Sequence, residues 1–162
     1  MRKAIYAGSF DPFHDGHLDI VKRAAKMFDE VYILLAHNPY KMRRFNIFKM
    51  SRAIQMMIIQ EKLANCFVII ADENEYTVDI AHALSAQYLI RGVRNQEDFV
   101  YEEELAKANE ELAPEIETVY LRATMPDISS SFIRKLLSEG KDCASALVPK
   151  AIYKMFQEED WI

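Results

Sequence analysis

Residues 4–17 read AIYAGSFDPFHDGH, and this stretch carries the strongest indication of the fold. Its first four residues are apolar, which is typical of a buried strand that ends at Gly8. Apolar residues then recur at helical spacing from Gly16 to Phe28. A strand, a glycine turn and a helix in direct succession present free backbone N–H groups and a helix dipole to a phosphate. The stretch therefore predicts an anion site between the first strand and the first helix.

The same alternation of short apolar runs and longer amphipathic runs continues along the chain. Further strands are predicted at residues 31–36, 67–71, 88–90 and 118–121. Further helices are predicted at residues 47–63, 77–86, 96–112, 130–137 and from Pro149, in a first-turn position, to 159. Continuous apolar strands that alternate with helices indicate a parallel sheet covered on both faces. We therefore predict a single α/β domain, residues 1–162, with a five-stranded parallel sheet.

Composition excludes several classes of function. The chain is 51% hydrophobic and carries a net charge of −5, which argues against broad binding to nucleic acid or to an anionic membrane. No apolar run approaches the ~20 residues that a membrane span needs. Cys66 and Cys143 have no metal-type spacing, and two reduced cysteines are favoured over a disulfide. We expect a soluble, cytoplasmic domain.

The segment His14-Asp15-Gly16-His17 distinguishes the first loop from other phosphate-binding loops, because it contains neither Gly-Lys-Ser/Thr nor GxGxxG. Two imidazoles and the Ser9 hydroxyl beside a helix N-terminus can donate hydrogen bonds to charge that develops on a phosphorus. Gly16 would let the backbone pass close to the phosphates. Two structural alternatives stay open: a metal site built on the histidine pair, and a helix cap at Asp15.

Three more polar motifs follow predicted strands, where an open parallel sheet binds its ligands. They are NPYK at residues 38–41, IRGVR at residues 90–94 with DFxYE at residues 98–102, and ISSSxIR at residues 128–134. The guanidinium groups of Arg91 and Arg94 suit phosphates, although Glu97 or Asp98 could pair with them instead. A serine-rich turn before a helix is equally consistent with a simple helix cap.

This set of motifs, in this order, resembles the adenylyltransferase branch of the HxGH nucleotidyltransferases and, within it, the phosphopantetheine adenylyltransferase family. The resemblance implies a Rossmann-like, doubly wound fold and reversible transfer of an adenylyl group from ATP to 4′-phosphopantetheine, giving dephospho-coenzyme A and pyrophosphate. It also implies Mg²⁺ as cofactor, binding of coenzyme A, and a homohexamer with no nucleic-acid or membrane partner. Two alternatives are another HxGH adenylyl- or cytidylyltransferase, for example with a pyridine mononucleotide acceptor, and a non-catalytic ATP-binding module.

The resemblance also implies roles for individual residues. His17, Lys41 and Ser9 match the catalytic positions, with His17 stabilising the transition state. The positions that match ATP contacts are Gly8, Ser9, Phe10, His14, His17, Arg91, Gly92, Arg94, Glu102, Ile128, Ser129, Ser130 and Ser131. Those that match contacts to the acceptor substrate are Ser9, Lys41, Tyr76, Thr77, Val78 and Arg91. No side chain is assigned to a metal, and the Arg43-Arg44 pair and Asp127 depart from the family's usual sequence.

Overall fold

The sheet consists of β1 (Lys3–Gly8), β2 (Glu30–Leu35), β3 (Cys66–Ile70), β4 (Tyr88–Val93) and β5 (Glu117–Arg122) in the computed structural model, which describes residues 1–161. All neighbouring strands pair in parallel, in the order β3-β2-β1-β4-β5. The chain therefore winds outward in one direction from β1 to β3 and then returns to the other side of β1 with β4. This strand order confirms the predicted doubly wound α/β fold.

Six α-helices within residues 1–161 connect and flank the strands. They are α1 (Asp15–Met27), α2 (Ile47–Gln60), α3 (Thr77–Leu84), α4 (Gln96–Leu112), α5 (Ser130–Ser138) and α6 (Lys150–Glu158). The predicted second helix ran to residue 63, but α2 ends earlier because Lys62 has a positive φ of 56°. Pro149 caps α6 with an extended ψ of 154°, so it precedes the first turn rather than lying in it. A 3₁₀ helix at Asp142–Leu147 was not predicted.

The two faces of the sheet are covered to different depths. The larger hydrophobic cluster packs α1, α2, α5 and α6 against one face, with Phe13, Ile54 and Phe156 fully enclosed. The smaller cluster on the other face takes its helical residues mainly from α3, and Glu102 is the buried residue of α4.

No helix within the described residues is both long and apolar enough to cross a membrane. Cys66 and Cys143 are both unpaired, which confirms the prediction of free thiols.

Candidate active site

A cavity of about 480 Å³ opens at the carboxyl ends of β1 and β4, where the strand order reverses. An open parallel sheet binds its ligands at this place. The structure brings to this one cavity every residue that was matched to an ATP contact, and Lys41 as well. Four motifs that are separated in the sequence therefore form one site.

The first turn of α1 is capped by the two histidines themselves. The His17 backbone N–H donates to Nδ1 of His14 at 3.3 Å, and the His14 backbone N–H donates to Nδ1 of His17 at 3.1 Å. The two rings stack with centroids 3.6 Å apart. The alternative of a helix cap at Asp15 is therefore wrong, because the N-cap of α1 is the preceding residue, His14. A Cβ on Gly16 would lie 2.9 Å from the His14 ring, so a glycine is needed there to seat the imidazole.

Both histidines are held in the neutral form. Burial lowers the pKa of His14 to about 4, with a smaller contribution from the charge of Arg94. Burial also lowers the pKa of His17 well below its ordinary value, assisted by His14 and Arg94. Because each Nδ1 accepts a backbone hydrogen bond, the single proton of each neutral ring lies on Nε2. His17 therefore offers an Nε2–H donor without a net charge.

Aromatic rings enclose His17. The ring of Phe10 meets it edge-on at 4.9 Å, and the ring of Phe13 lies 5.3 Å away. The apolar surroundings explain the low pKa of the imidazole, because a charged ring would be poorly solvated there.

No group of three or more His, Cys, Asp or Glu side chains within residues 1–161 is arranged to hold a metal ion.

Asp11 ties the loop that carries Lys41 to the loop before α1. Its buried carboxylate accepts hydrogen bonds from the backbone N–H groups of Arg44 at 2.8 Å and Phe45 at 2.9 Å. Arg43 makes a second link, because Nη1 donates to the carbonyl of Ser9 at 2.5 Å and Nε to that of Phe45 at 3.1 Å. The role of Arg43, open in the sequence, is thus to connect these two loops.

Several residues in the cavity were not predicted as site residues, among them Tyr6, Asp11, Arg43 and Arg134. Arg134 donates through Nη1 to the carbonyl of Asp11 at 2.6 Å. Asp11 lies in the stretch of residues 4–17 and Arg134 in the ISSSxIR motif, so the sequence did carry a signal for these two residues. For Arg43 and Tyr6 the sequence carried no such signal, because their contacts come from other elements.

Arg91, near the carboxyl end of β4, and Arg94, directly after the strand, are both paired with acidic side chains. Arg91 donates to Glu102 through Nε at 2.5 Å and Nη2 at 2.9 Å, and its Nη1 donates to the carbonyl of Ala7 at 2.8 Å. Arg94 donates to Asp98 through Nε at 2.8 Å. Asp98 is thus one of the two partners that the sequence left open, whereas the partner of Arg91 is a residue that was matched to ATP.

The Arg91–Glu102 pair stands between the main cavity and a smaller one of about 130 Å³, and lines both. The smaller cavity is lined mostly by apolar residues of β1, β4 and α4, with the amide of Asn109 among them. Of the three consecutive residues at the start of α3 that were matched to the acceptor, the structure brings only Thr77 to this cavity. Tyr76 is 66% exposed outside both cavities, and Val78 is packed into the smaller hydrophobic cluster with 3% exposure.

The serines at the start of α5 cap that helix and also connect it to the loop before α1. Ser129 is the N-cap and accepts a hydrogen bond from the Phe132 N–H at 3.1 Å, as the cap interpretation required. The Ser130 hydroxyl donates to the carbonyl of Pro12 at 2.8 Å, which holds the α5 N-terminus against the loop before α1. The N-termini of α1 and α5 therefore meet at the same cavity, and both favour an anion there.

The charge of the cavity differs from that of the whole chain. Five basic and three acidic side chains line it, although the net charge of the chain is −5. The carboxylates of Asp11 and Glu102 are occupied by hydrogen bonds. The site is therefore suited to a polyanionic ligand.

Comparisons with known proteins agree with this geometry. A family model described as cytidylyltransferase-like matches residues 5–136. A phosphopantetheine adenylyltransferase of Streptococcus agalactiae is 41% identical over 155 residues, 94% of this chain and 94% of the relative. One from Streptococcus pneumoniae is 38% identical over 157 residues, covering 96% of this chain and 94% of its own.

Among solved structures, the nicotinic acid mononucleotide adenylyltransferase of Plasmodium falciparum, complexed with NaAD, superposes with a TM-score of 0.73. The match covers 98% of this chain and 96% of the other at 15% identity, so it shows a shared fold. The extent and identity of the sequence matches place the protein more narrowly. The chain belongs to the cytidylyltransferase-like family and, within it, to the phosphopantetheine adenylyltransferases.

Proposed function

We infer that this chain transfers the adenylyl group of ATP to 4′-phosphopantetheine, which gives dephospho-coenzyme A and pyrophosphate in a reversible step of coenzyme A biosynthesis. The observation that carries this inference is the pair of adjoining cavities on the two sides of Arg91 and Glu102. The large cavity has the cations and helix N-termini that a triphosphate needs. The small one is lined by apolar side chains with the polar groups of Thr77, Asn109 and Thr118 among them, which suits an extended arm that ends in a phosphate at Arg91.

The reaction needs little covalent work from the protein. At neutral pH a phosphate monoester is mostly dianionic, so its oxygen attacks without a general base. A bond forms between that oxygen and the α-phosphorus, the bond to the bridging oxygen breaks, and pyrophosphate leaves with the bonding electrons. Catalysis therefore depends on alignment of the two phosphates and on neutralisation of their charge.

We assign the main electrostatic role to His17. Its Nε2–H is a neutral donor, fixed by the cap hydrogen bonds and the surrounding rings. Such a fixed donor stabilises charge that develops on the α-phosphate without reorganisation. Because the ring is neutral, His17 acts as a hydrogen-bond donor and transfers no proton in this step.

The cations divide between the two substrates by position. Arg94 lies close enough to His14 and His17 to lower the pKa of both, and we assign it to the β- and γ-phosphates of ATP. Arg91 faces both cavities, and we assign it to the phosphate of the acceptor as well as to ATP. Lys41 and Ser9 would hold the attacking phosphate from the two loops that Arg43 connects.

Mg²⁺ is proposed to enter with ATP. Magnesium is usually held by substrate phosphates together with water and one or two carboxylates. Near the cavity, Asp11 and Glu102 are already engaged, so the phosphate oxygens themselves would supply the principal ligands. The ion would neutralise the charge of the pyrophosphate that leaves.

We also propose self-association, with the homohexamer taken from the family resemblance. Phe99, Val100, Leu105 and Leu112 of α4 are exposed, and a helix of 17 residues with one buried side chain is unusual for a monomer. Sedimentation of a stable monomer at micromolar concentration would refute the hexamer.

A cytoplasmic location fits the two free thiols.

The test of the proposed function is a pyrophosphate-release assay with MgATP and a panel of phosphorylated acceptors. We expect release with 4′-phosphopantetheine and a product with the mass of dephospho-coenzyme A. Release with nicotinic acid mononucleotide instead would favour the activity named for the structural relative. Binding of ATP without release with any acceptor would favour a non-catalytic nucleotide-binding module.

A further inference from the structure

Tyr6 is a buried residue of β1 whose hydroxyl has no hydrogen-bond partner among residues 1–161. The side chain is 6% exposed, and it lines the main cavity. Its ring packs edge-on against Phe10 with centroids 5.3 Å apart and lies 6.3 Å from the ring of His17. The oxygen itself is not sealed off, because within residues 1–161 only Nη2 of Arg43 is a fully buried side-chain atom without a partner. The Tyr6 hydroxyl is therefore free to bond a ligand that enters the main cavity.

Two other tyrosines of the sheet show the usual behaviour. The Tyr32 hydroxyl donates to Glu30 at 2.6 Å, and the Tyr120 hydroxyl donates to Glu103 at 2.7 Å. Both side chains are more accessible than Tyr6. The hydroxyl of Tyr88, the remaining tyrosine of the sheet, makes no hydrogen bond within residues 1–161 either, but Tyr88 is more accessible than Tyr6 and lies outside both cavities. Tyr6 is therefore the buried sheet tyrosine whose unpartnered hydroxyl faces the candidate active site.

The hydroxyl is open to a ligand because Gly92 has no side chain. Tyr6 pairs with Ile90 in the sheet, and its hydroxyl reaches forward to the level of Gly92. A Cβ built on Gly92 would lie 3.8 Å from the Tyr6 hydroxyl oxygen and 3.7 Å from Ile20, which is ordinary van der Waals contact. A methyl group at this position would therefore fit, but it would cover the hydroxyl.

The hydroxyl is equipped to donate rather than to ionise. Burial raises the pKa of Tyr6 far above its ordinary value, and the charge of Glu102 acts in the same direction against that of Arg91. The proton stays on the oxygen throughout the pH range in which proteins are folded. The residues around it, His17 and Arg91, are those that the proposed function assigns to phosphate groups.

We propose that Tyr6 is a further nucleotide-binding residue, whose hydroxyl donates a hydrogen bond to an oxygen of the ribose–phosphate part of ATP where it passes over Gly92. This proposal rests on the proposed function only in taking ATP as the nucleotide. A hydrogen bond from a buried neutral donor to a nucleotide oxygen changes affinity by about 3- to 15-fold.

The test is the affinity of Tyr6→Phe for MgATP, measured by titration calorimetry without an acceptor. We expect binding about 3- to 15-fold weaker than in the wild type, with an unchanged melting temperature of the free protein, because Phe keeps the ring and removes an unpartnered group. Tyr88→Phe is the matched control: Tyr88 packs against Phe28 at 5.2 Å and lies outside both cavities, so its affinity should not change. Equal affinity of Tyr6→Phe and wild type would overturn the proposal.

A double-mutant cycle with Gly92→Ala sharpens the test. If the alanine methyl covers the hydroxyl, Tyr6→Phe will cause no further loss of affinity in the Gly92→Ala background. Fully additive losses would contradict the proposed contact.

Deoxynucleotides identify the oxygen. If the partner is a ribose hydroxyl, the loss in Tyr6→Phe disappears with either 2′-deoxyATP or 3′-deoxyATP. If it is a phosphate oxygen or the ribose ring oxygen, the loss persists with both. A wild-type chain that binds ATP but does not adenylylate 4′-phosphopantetheine would refute the proposed function and leave this test intact.

Discussion

Two loops line the same cavity but differ in almost every physical property. The buried loop, residues 9–17, runs from the end of β1 into the first turn of α1 and is mostly shielded from solvent. Within it Phe10, Phe13 and His14 are buried, Phe10 packs on Phe13, and His14 stacks on His17. The loop after β2, residues 36–46, is largely exposed, with Tyr40 at 94% and Met42 at 97%. Asp11 and Arg43 hold the exposed loop against the buried one.

The difference indicates a division of labour. A donor that acts in the transition state must be fixed before the reaction, since alignment gained during the reaction would add to the barrier. The buried loop provides such a donor in His17. A cation that meets an incoming substrate needs reach and solvent access, which the exposed Lys41 has. Changes to the buried loop should therefore have larger effects than changes to the exposed one.

The largest effect is expected from the loss of the His17 imidazole. His17→Ala should lower kcat by about 10²–10³-fold, because it removes a fixed donor to the developing charge. The dissociation constant for ATP should change far less, since this contact strengthens in the transition state. Both values can be obtained from steady-state kinetics and calorimetry on the same preparation.

His17→Asn separates catalysis from the helix cap. The Asn Oδ1 can stand in the place of Nδ1 and accept the His14 backbone N–H, whereas no atom replaces Nε2–H. We therefore expect the low kcat of the alanine variant with a melting temperature nearer that of the wild type. A normal kcat in His17→Asn would refute the role of the Nε2 donor.

A loss of stability in acid is expected from His14, also in the buried loop. The unfolded chain binds a proton at this imidazole below pH 6.5, but the folded chain does so only near its pKa of about 4. The stabilisation is therefore complete above pH 6.5 and is lost as the pH falls towards 4, by about 3 kcal/mol. Urea unfolding between pH 7 and 4 measures it.

His14→Asn gives the comparison for this pH dependence. Asparagine is a strong N-cap residue and does not titrate in this range, so the cap is kept and the proton-linked loss from His14 disappears. The drop that remains belongs to other groups, His17 among them. An unchanged slope of stability against pH in this variant would contradict the assignment.

The sequence predicted much of this fold and the membership of the site, and the reasons are physical. Strand and helix periodicity located the elements within a few residues, and the motifs at strand ends converge because parallel strands end at one edge of the sheet. The reciprocal cap of His14 and His17 could not be predicted. Asp15 is the better N-cap type in general, and the burial that keeps both imidazoles neutral, and so able to accept, comes from packing between distant segments.

The sequence also did not predict the direction in which each side chain at the start of α3 points. The Tyr76-Thr77-Val78 segment begins α3, but one residue turns to the small cavity, one to the hydrophobic cluster and one to solvent. A motif matched in sequence does not give this rotation, which the packing of α3 on the sheet decides. Contacts between distant segments, such as Arg43 with Ser9, were equally inaccessible, because they depend on how the loops fold back.

A smaller effect is expected in the exposed loop, from Lys41. Lys41→Met should lower kcat/KM for the acceptor by about 10- to 100-fold, as expected for one hydrogen bond between charged groups. Stability of the free protein should not change, because the side chain is exposed. Lys26→Met, an exposed lysine in the last turn of α1, is the control and should retain full activity. If Lys41→Met also retains it, the exposed loop does not meet the substrate as proposed.

The smallest effect should come from Arg43, which joins the two loops. Its Nη2 is buried without a partner among residues 1–161, 3.8 Å from a carboxylate oxygen of Asp11, and burial lowers the pKa of the guanidinium. The desolvation of this charge offsets the hydrogen bonds that Arg43 donates, so Arg43→Met should change the free energy of unfolding by less than about 1 kcal/mol.

Activity should respond more than stability to the same change. Without Arg43 the carbonyls of Ser9 and Phe45 are no longer bridged, and Lys41 is less often aligned with the buried donor. We expect kcat/KM to fall by about fivefold for both substrates, and Arg43→Lys, which keeps the charge and one donor, to recover part of the loss. A variant that loses stability but keeps its kinetics would show that the link serves the fold, and that the exposed loop finds its place without it.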